Sequence, residues 1–86
     1  MAEKTLLEIN ESNFKEEVLD SPIPVLIDMW APWCMPCRMV APSVEKIAND
    51  NADKLKVCKM NVDNNQSIAA RLNIQGIPAL LIFKDG

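Results

Sequence analysis

The feature that most constrains this chain is a pair of cysteines, Cys34 and Cys37, placed where a strand-like segment passes into a helix-like one. Residues 25–30 are apolar at nearly every position and do not alternate, which is typical of a strand covered on both faces. A thiol at the start of a helix meets free backbone N–H groups and the positive end of the helix dipole, and both favour the thiolate. The two-residue spacing lets one thiol reach the other, so the sequence predicts a pair that closes and reopens a disulfide.

Composition excludes several classes of protein. The chain has 86 residues, so residues 1–86 are expected to form one small domain. Its net charge is −3 and its Lys and Arg residues are scattered, so the sequence shows no basic cluster of the kind that binds nucleic acid. Its apolar runs are too short to span a membrane, and the N-terminal residues lack the apolar core of a signal peptide. Three cysteines are too few for a disulfide scaffold, which favours the reducing cytoplasm. Because there is no histidine, a Cys–His nucleophile, a Ser–His–Asp triad and an imidazole metal ligand are all excluded.

Strand and helix patterns alternate along the chain. Four strands are predicted at residues 6–9, 25–30, 55–62 and 79–83, and three helices at about 10–20, 34–51 and 66–72. In the first helix the pattern places Phe14, Val18 and Leu19 on the inner face. Pro42, inside the second helix, is expected to kink it. The alternation implies βαβ units, and hence a partly parallel sheet with helices on its faces.

The segment Trp33-Cys34-x-Pro36-Cys37 follows a buried strand that carries Asp28, and Gly76-Ile77-Pro78 stands downstream. Together these motifs resemble the thioredoxin family, and the similarity covers essentially the whole chain. The resemblance implies an α/β fold, a thioredoxin-like three-layer sandwich with a mixed four-stranded sheet and three helices. The family continues past the turn signature at residues 84–86 with a further strand and a further helix, which this sequence lacks.

The same resemblance implies a protein-disulfide reductase, a thiol–disulfide oxidoreductase whose redox couple is Cys34-Met35-Pro36-Cys37 and which binds no separate cofactor. The implied partners are disulfide-containing protein substrates and an NADPH-dependent flavoprotein, thioredoxin reductase. One alternative is a binding module on the same scaffold with little turnover. Another is a thiolate metal carrier that uses Cys34, Cys37 and Cys58 or a methionine. Cys58 is most simply a small buried hydrophobic residue, and too few ligands remain for a structural zinc site.

For the site, the resemblance implies that Cys34 is the exposed attacking thiol and Cys37 the buried resolving thiol. It makes Asp28 the buried carboxylate beneath Cys37, with Lys59 as its partner. Burial disfavours a charged carboxylate and is expected to raise its pKa, which suits a base near neutral pH. The alternatives are a purely structural Asp28–Lys59 ion pair, or a Lys59 side chain extended into solvent.

The substrate surface implied by the resemblance includes a cis proline at Pro78, facing the disulfide. Taken without the resemblance, Pro78 is equally compatible with an ordinary turn proline. Met35 stands where the family usually has glycine, so a flexible apolar side chain is expected beside the attacking sulfur. The other positions of that surface are Trp30, Trp33, Pro36, Gly76 and Ile77.

The last predicted strand, residues 79–83, has no following strand in this sequence. Its outer edge is therefore expected to carry unpaired N–H and C=O groups, and the adjacent sheet face to expose an apolar patch. Association through the edge or face would relieve this, and so would loosening of the last strand. The sequence thus points to self-association through the uncovered edge strand as one of two outcomes.

Overall fold

The computed structural model describes residues 6–85, and within them four strands alternate with three helices. The strands are β1 (Leu7–Glu8), β2 (Val25–Trp30), β3 (Lys56–Asn61) and β4 (Ala79–Phe83). The helices are a π-helix (Lys15–Leu19), α1 (Met35–Asp50) and α2 (Gln66–Arg71). None of the helices in this part of the chain is long and apolar enough to cross a membrane.

The strands form one mixed sheet in the order β1-β3-β2-β4. β3 runs parallel to both β1 and β2, whereas β4 runs antiparallel to β2. α1 joins β2 to β3 and supplies the crossover that parallel neighbours require. The register places Lys59 of β3 and Leu80 of β4 opposite Asp28 of β2. The predicted mixed four-stranded sheet is confirmed.

Apolar side chains pack on both faces of this sheet. On one face, Ile27 belongs to a core cluster with Val18 of the π-helix and Ile68 of α2. On the other face, Leu26 belongs to a second cluster with Val44 of α1. Successive residues of a strand point to opposite faces of the sheet. Because both faces of β2 are covered, apolar residues are needed at successive positions, which explains its unbroken apolar run. Helices on both faces make the three layers that the resemblance implies.

The first helix is shorter than predicted and is wound differently. A turn precedes it, in which the Ser12 amide donates to Asn10 Oδ1 at 2.8 Å. The hydrogen bonding then follows the i→i+5 pattern of a π-helix, as in the 2.9 Å bond from the Asp20 amide to the Lys15 carbonyl. Because this winding departs from the α-helical period, the prediction that Leu19 faces inward is wrong, and its side chain is exposed.

The other elements keep close to their predicted positions. β1 is confined to Leu7–Glu8, although the next amide, that of Ile9, still donates to the Lys59 carbonyl at 2.8 Å. α1 runs through Pro42 as one assigned helix. β3 and α2 are each a residue or two shorter than the sequence pattern.

β4 is covered on one face only. Leu81 and Phe83 pack against the cluster beside the π-helix, and the Phe83 ring meets Phe14 edge to face with 5.9 Å between centroids. Leu80 and Ile82 point to the α1 side of the sheet and are 46% and 70% exposed. The cluster beneath α1 contains residues of β2 and β3 but none of β4. One apolar strip of β4 therefore faces solvent.

Candidate active site

A disulfide joins Cys34 and Cys37 at the junction of β2 and α1. Cys34 is the N-cap residue of α1, with an extended backbone, and its Sγ accepts a hydrogen bond from the Cys37 amide at 3.2 Å. That amide is one of the unpaired N–H groups at a helix start, so a sulfur here takes the place of the usual capping oxygen. Pro36 lies in the first turn, where its missing N–H is not needed.

The two cysteines are packed together rather than presented to solvent. With Ala31 they form a small buried cluster, against which Trp30 and Ile77 pack. Both Cys34 and Cys37 are only 3% exposed, so the expected contrast between an exposed and a buried cysteine is not seen. The reason is the packing around the disulfide, since Ala31, Trp30 and Ile77 pack with both cysteines in one cluster.

The segment before β4 approaches this cluster. The peptide between Ile77 and Pro78 is cis, as the resemblance implies, and the Ile77 side chain packs against the cysteine cluster. Gly76 is exposed, and a Cβ built on it would meet nothing within 4 Å. Packing within the chain therefore does not require glycine at this position. Because Gly76 has no side chain, another molecule can contact its backbone directly.

Asp28 is buried on the α1 side of β2, and its Oδ1 has no hydrogen-bond partner. Desolvation raises the pKa of this carboxyl above its ordinary value, and the positive charge of Lys59 lowers it part of the way back. A buried carboxylate with a free oxygen and a raised pKa takes up a proton more readily than an exposed carboxylate does.

Lys59, the partner that the resemblance gives to Asp28, forms no direct ion pair with it, so the purely structural ion pair considered as an alternative is absent. No contact within 4 Å joins its ammonium to Asp28, whereas Nζ lies 5.6 Å from the centroid of the Trp30 ring. The two residues are register partners in neighbouring strands, so the charge acts on the carboxylate through space. The Trp30 ring holds the ammonium by a cation–π contact. The indole Nε1 of Trp30 is buried without a hydrogen-bond partner.

Trp33 immediately precedes Cys34 and is largely exposed. Its Nε1 donates to Asp63 Oδ2 at 2.9 Å. A groove of about 510 Å³ runs between this indole and α2, and Gly76 and Ile77 form part of its wall. The structure thus brings together three of the residues assigned to the substrate surface, Trp33, Gly76 and Ile77.

Asp63 is a site residue that sequence reasoning missed. It follows β3, and Trp33 follows β2, so the parallel pairing of these strands places both at one edge of the sheet. The carboxyl ends of parallel strands share an edge, and that was the signal available in the sequence. The loop is held by buried asparagines: the Asp63 amide donates to Asn61 Oδ1, and Asn65 Nδ2 donates to the Asn61 carbonyl, each at 2.9 Å.

Three further side chains flank the disulfide on α1. Arg38 Nη2 donates to the Pro32 carbonyl at 2.8 Å, which ties the loop before Cys34 to the helix after it. Met35 and Met39 lie one helical turn apart and are both strongly exposed. The positive charge and the two thioethers therefore lie on the accessible surface beside the redox ring.

These residues define a dithiol–disulfide site, the kind of site that thiol–disulfide oxidoreductases carry. The disulfide closes at a helix N-terminus, a desolvated carboxylate lies on the strand that precedes it, and an exposed groove lies beside it. Among residues 6–85, no three His, Cys, Asp or Glu side chains come together as a metal site. The geometry supports redox chemistry of sulfur.

Known proteins with similar sequences agree with this assignment. A family profile described as thioredoxin matches residues 5–86. Thioredoxin 1 of Synechococcus elongatus is 56% identical over 78 residues, which are 91% of this chain and 73% of that protein. Thioredoxin 1 of a Nostoc species is 54% identical over 79 residues, 92% of this chain and 74% of the relative. A chloroplastic M-type thioredoxin of Chlamydomonas reinhardtii is 47% identical over 78 residues, 91% of this chain and 56% of the relative.

The chain belongs to the thioredoxin family. It is a thiol–disulfide oxidoreductase whose redox-active group is the Cys34–Cys37 disulfide, and proteins of this family use no bound cofactor. Disulfide-containing substrates and a thioredoxin reductase are the general partners of such proteins. The predicted family, fold class and disulfide-reductase function are confirmed.

Proposed function

We propose that the chain reduces protein disulfides with Cys34 as the attacking thiolate and Cys37 as the resolving thiol. The observation that supports these roles best is the hydrogen bond from the Cys37 amide to Cys34 Sγ at the start of α1. In the reduced protein that amide and the helix dipole stabilise negative charge on Cys34. Cys37, three residues further into the helix, lies farther from the unpaired N–H groups.

The reaction proceeds in two exchanges. The Cys34 thiolate attacks one sulfur of the substrate disulfide, that S–S bond breaks, and the departing substrate thiolate takes a proton from water. Cys37 then loses its proton and attacks Cys34 Sγ in the mixed disulfide, which releases the second substrate thiolate. The substrate gains two electrons, and the chain is left with the Cys34–Cys37 disulfide.

Asp28 serves as the proton acceptor for Cys37 in the second exchange. Its free Oδ1 and raised pKa allow the carboxylate to take up the thiol proton and to return it to the departing substrate thiolate. Lys59, held over Trp30, limits the rise in that pKa and so favours the ionised carboxylate that accepts the proton.

The substrate lies along the surface beside the disulfide. Gly76 offers exposed backbone, and the groove next to Trp33 accepts a side chain of the substrate. The surface comprises Trp30, Trp33, Met35, Pro36, Gly76, Ile77 and Pro78. An NADPH-dependent flavoprotein, thioredoxin reductase, reduces the disulfide back to the dithiol. We place this cycle in the cytoplasm. Residues 1–86 act in it as one domain.

Single replacements of the two cysteines test these roles. Cys34→Ser is expected to abolish reduction of insulin, because Cys58 is buried and cannot replace the attacking thiol. Cys37→Ser is expected to accumulate a mixed disulfide with substrate, which non-reducing mass spectrometry detects, since attack proceeds and resolution does not. Normal turnover by Cys37→Ser would contradict these roles, because resolution would then not need Cys37. An inactive wild type that still binds substrate would favour the binding module.

We propose in addition that the 86-residue chain associates with itself through β4. This strand is the last of the sheet order within residues 6–85, and its exposed strip of Leu80 and Ile82 is apolar. Antiparallel pairing of β4 with β4 of a second copy would satisfy the backbone groups of both edges and bring like apolar side chains together.

Sedimentation analysis of the wild type and of Ile82→Lys tests this association. The wild-type mass in solution is expected to rise with concentration, together with its melting temperature. Ile82→Lys is expected to remain a monomer, because a charge is placed on the edge strand. A wild type that stays monomeric and keeps one melting temperature at every concentration would overturn the proposal.

A further inference from the structure

We propose that Met35 is a site of reversible oxidation by peroxides, and that its sulfoxide weakens the docking of disulfide substrates on this protein. The inference rests on the proposed position of Met35 in the substrate surface. It concerns the one position of the redox ring that departs from the glycine expected by resemblance.

The structure separates the methionines sharply by exposure. Among residues 6–85, Met29 and Met60 are fully buried in the core, at 0% exposure. Met35 and Met39 are 65% and 75% exposed, and both lie on the first turns of α1 beside the disulfide. An oxidant in solution therefore reaches thioethers only at the redox site within this part of the chain.

The cysteine sulfur atoms are protected when the disulfide is closed. Cys34 and Cys37 then have no thiolate to offer. Cys58 is buried, and desolvation raises the pKa of its thiol to about 11, so it stays protonated and shielded. Within residues 6–85 of the oxidised protein, the exposed thioethers of Met35 and Met39 are thus the sulfur nucleophiles that remain for a peroxide.

The chemistry needs only a peroxide as co-reactant. The thioether sulfur of Met35 attacks one peroxide oxygen, the O–O bond breaks, and a sulfoxide forms while the second oxygen leaves as water or alcohol. Sulfur loses two electrons and the peroxide gains them. The two methionine sulfoxide reductases, one for each epimer, reverse the change.

Met35 is the exposed methionine whose oxidation matters for substrate. It lies inside the redox ring, directly after Cys34, whereas Met39 lies one turn further along α1. A substrate disulfide that reaches Cys34 must cover the Met35 side chain. Burying a polar sulfoxide there, in place of an apolar thioether, is expected to lower kcat/KM for protein disulfides about five-fold or more. The sulfoxide would therefore form on protein that is exposed to peroxide after its dithiol has been oxidised to the disulfide.

The test treats the disulfide form with hydrogen peroxide, removes the peroxide with catalase, and then measures insulin reduction. Each protein is compared with its own untreated sample: wild type, Met35→Leu and the matched control Met39→Leu. Peptide mass mapping counts the added oxygens at each methionine. Wild type and Met39→Leu are expected to lose activity, Met35→Leu to keep it, and treatment with both methionine sulfoxide reductases to restore the wild type.

The inference would be overturned if peroxide lowered the activity of Met35→Leu as much as that of wild type. It would also be overturned if Met39→Leu kept its activity after peroxide, or if Met35 were unmodified in the mass map of a wild type that had lost activity. Full activity of wild type carrying a mapped Met35 sulfoxide would overturn it as well, while leaving the disulfide-reductase roles intact. An untreated wild type that does not reduce insulin would instead overturn the proposed function, and this inference with it.

Discussion

β2 and β4 are neighbours in one sheet and have similarly apolar sequences, yet they differ in how they are buried. Five of the six residues of β2 are buried, because the π-helix and α2 cover one of its faces and α1 covers the other. β4 alternates between half-buried and exposed residues, because the cluster under α1 does not extend to it. Apolar composition therefore permits burial of a strand, whereas the position of a covering helix decides whether the strand is buried.

The functional consequence is that the redox chemistry lies at the end of the strand with both faces covered. Asp28 is desolvated on β2, while Leu80, its register partner on β4, is half exposed on the same side of the sheet. Burial on this side of β2 therefore raises the pKa of Asp28. A carboxylate at an equivalent position of β4 would remain hydrated.

The largest expected effect compares one isoleucine from each strand. Ile27→Ala is expected to lower the free energy of unfolding by about 2–5 kcal/mol, because Ile27 is fully buried and its loss leaves a cavity. Ile82→Ala is expected to change it by no more than about 0.5 kcal/mol, because this side chain faces solvent. Urea denaturation at a protein concentration below any association measures both. Equal losses would show that β4 is covered in solution.

The second prediction concerns Asp28 and the pH dependence of stability. Its folded-state pKa is raised, so the stability is full below the unfolded-state pKa, where both states are protonated. Stability then declines as the pH rises from the unfolded to the folded pKa, because the unfolded state loses its proton first, and it is constant above that range. Asp28→Asn is therefore expected to remove this decline and to be more stable than wild type at pH 7.

Denaturant titrations across the acid and neutral range measure this difference, with Asp53→Asn at the exposed surface as the control for the loss of one charge. Asp28→Asn is also expected to slow release from the mixed disulfide, which Asp53→Asn is not. A variant less stable than wild type at pH 7 would contradict the argument. It would mean that attraction to Lys59 outweighs the desolvation of the carboxylate.

The smallest expected effect on stability is at Gly76. Gly76→Ala is expected to change the free energy of unfolding by less than about 0.5 kcal/mol, because the added Cβ has nothing within 4 Å. The same variant is expected to reduce kcat/KM for insulin, because the methyl group stands where substrate backbone approaches. Parallel denaturation and kinetic measurements separate the two effects. Unchanged kinetics would place Gly76 outside the substrate surface.

The local part of the site follows from the sequence because it depends on neighbours along the chain. Cys34 and Cys37 are three residues apart at a strand-to-helix junction, so their proximity and the helix-start environment need no tertiary contact. The parallel pairing of β2 with β3 also follows, since parallel strands need a crossover connection and the helix between these two strands supplies one. The cis peptide before Pro78 was implied only by resemblance, because its preference over trans is set by the surrounding fold.

The redox pair, the buried strand before it and the layered α/β arrangement could all be predicted from the order of the amino acids, because each rests on spacing and periodicity. The tertiary structure decided that Lys59 lies over Trp30, that Asp63 holds Trp33, and that one face of β4 stays open. These features join residues from different elements, so they depend on strand order and on which helix covers which strand. The pattern within a single segment cannot predict these contacts, because they form only when the helices and strands have packed together.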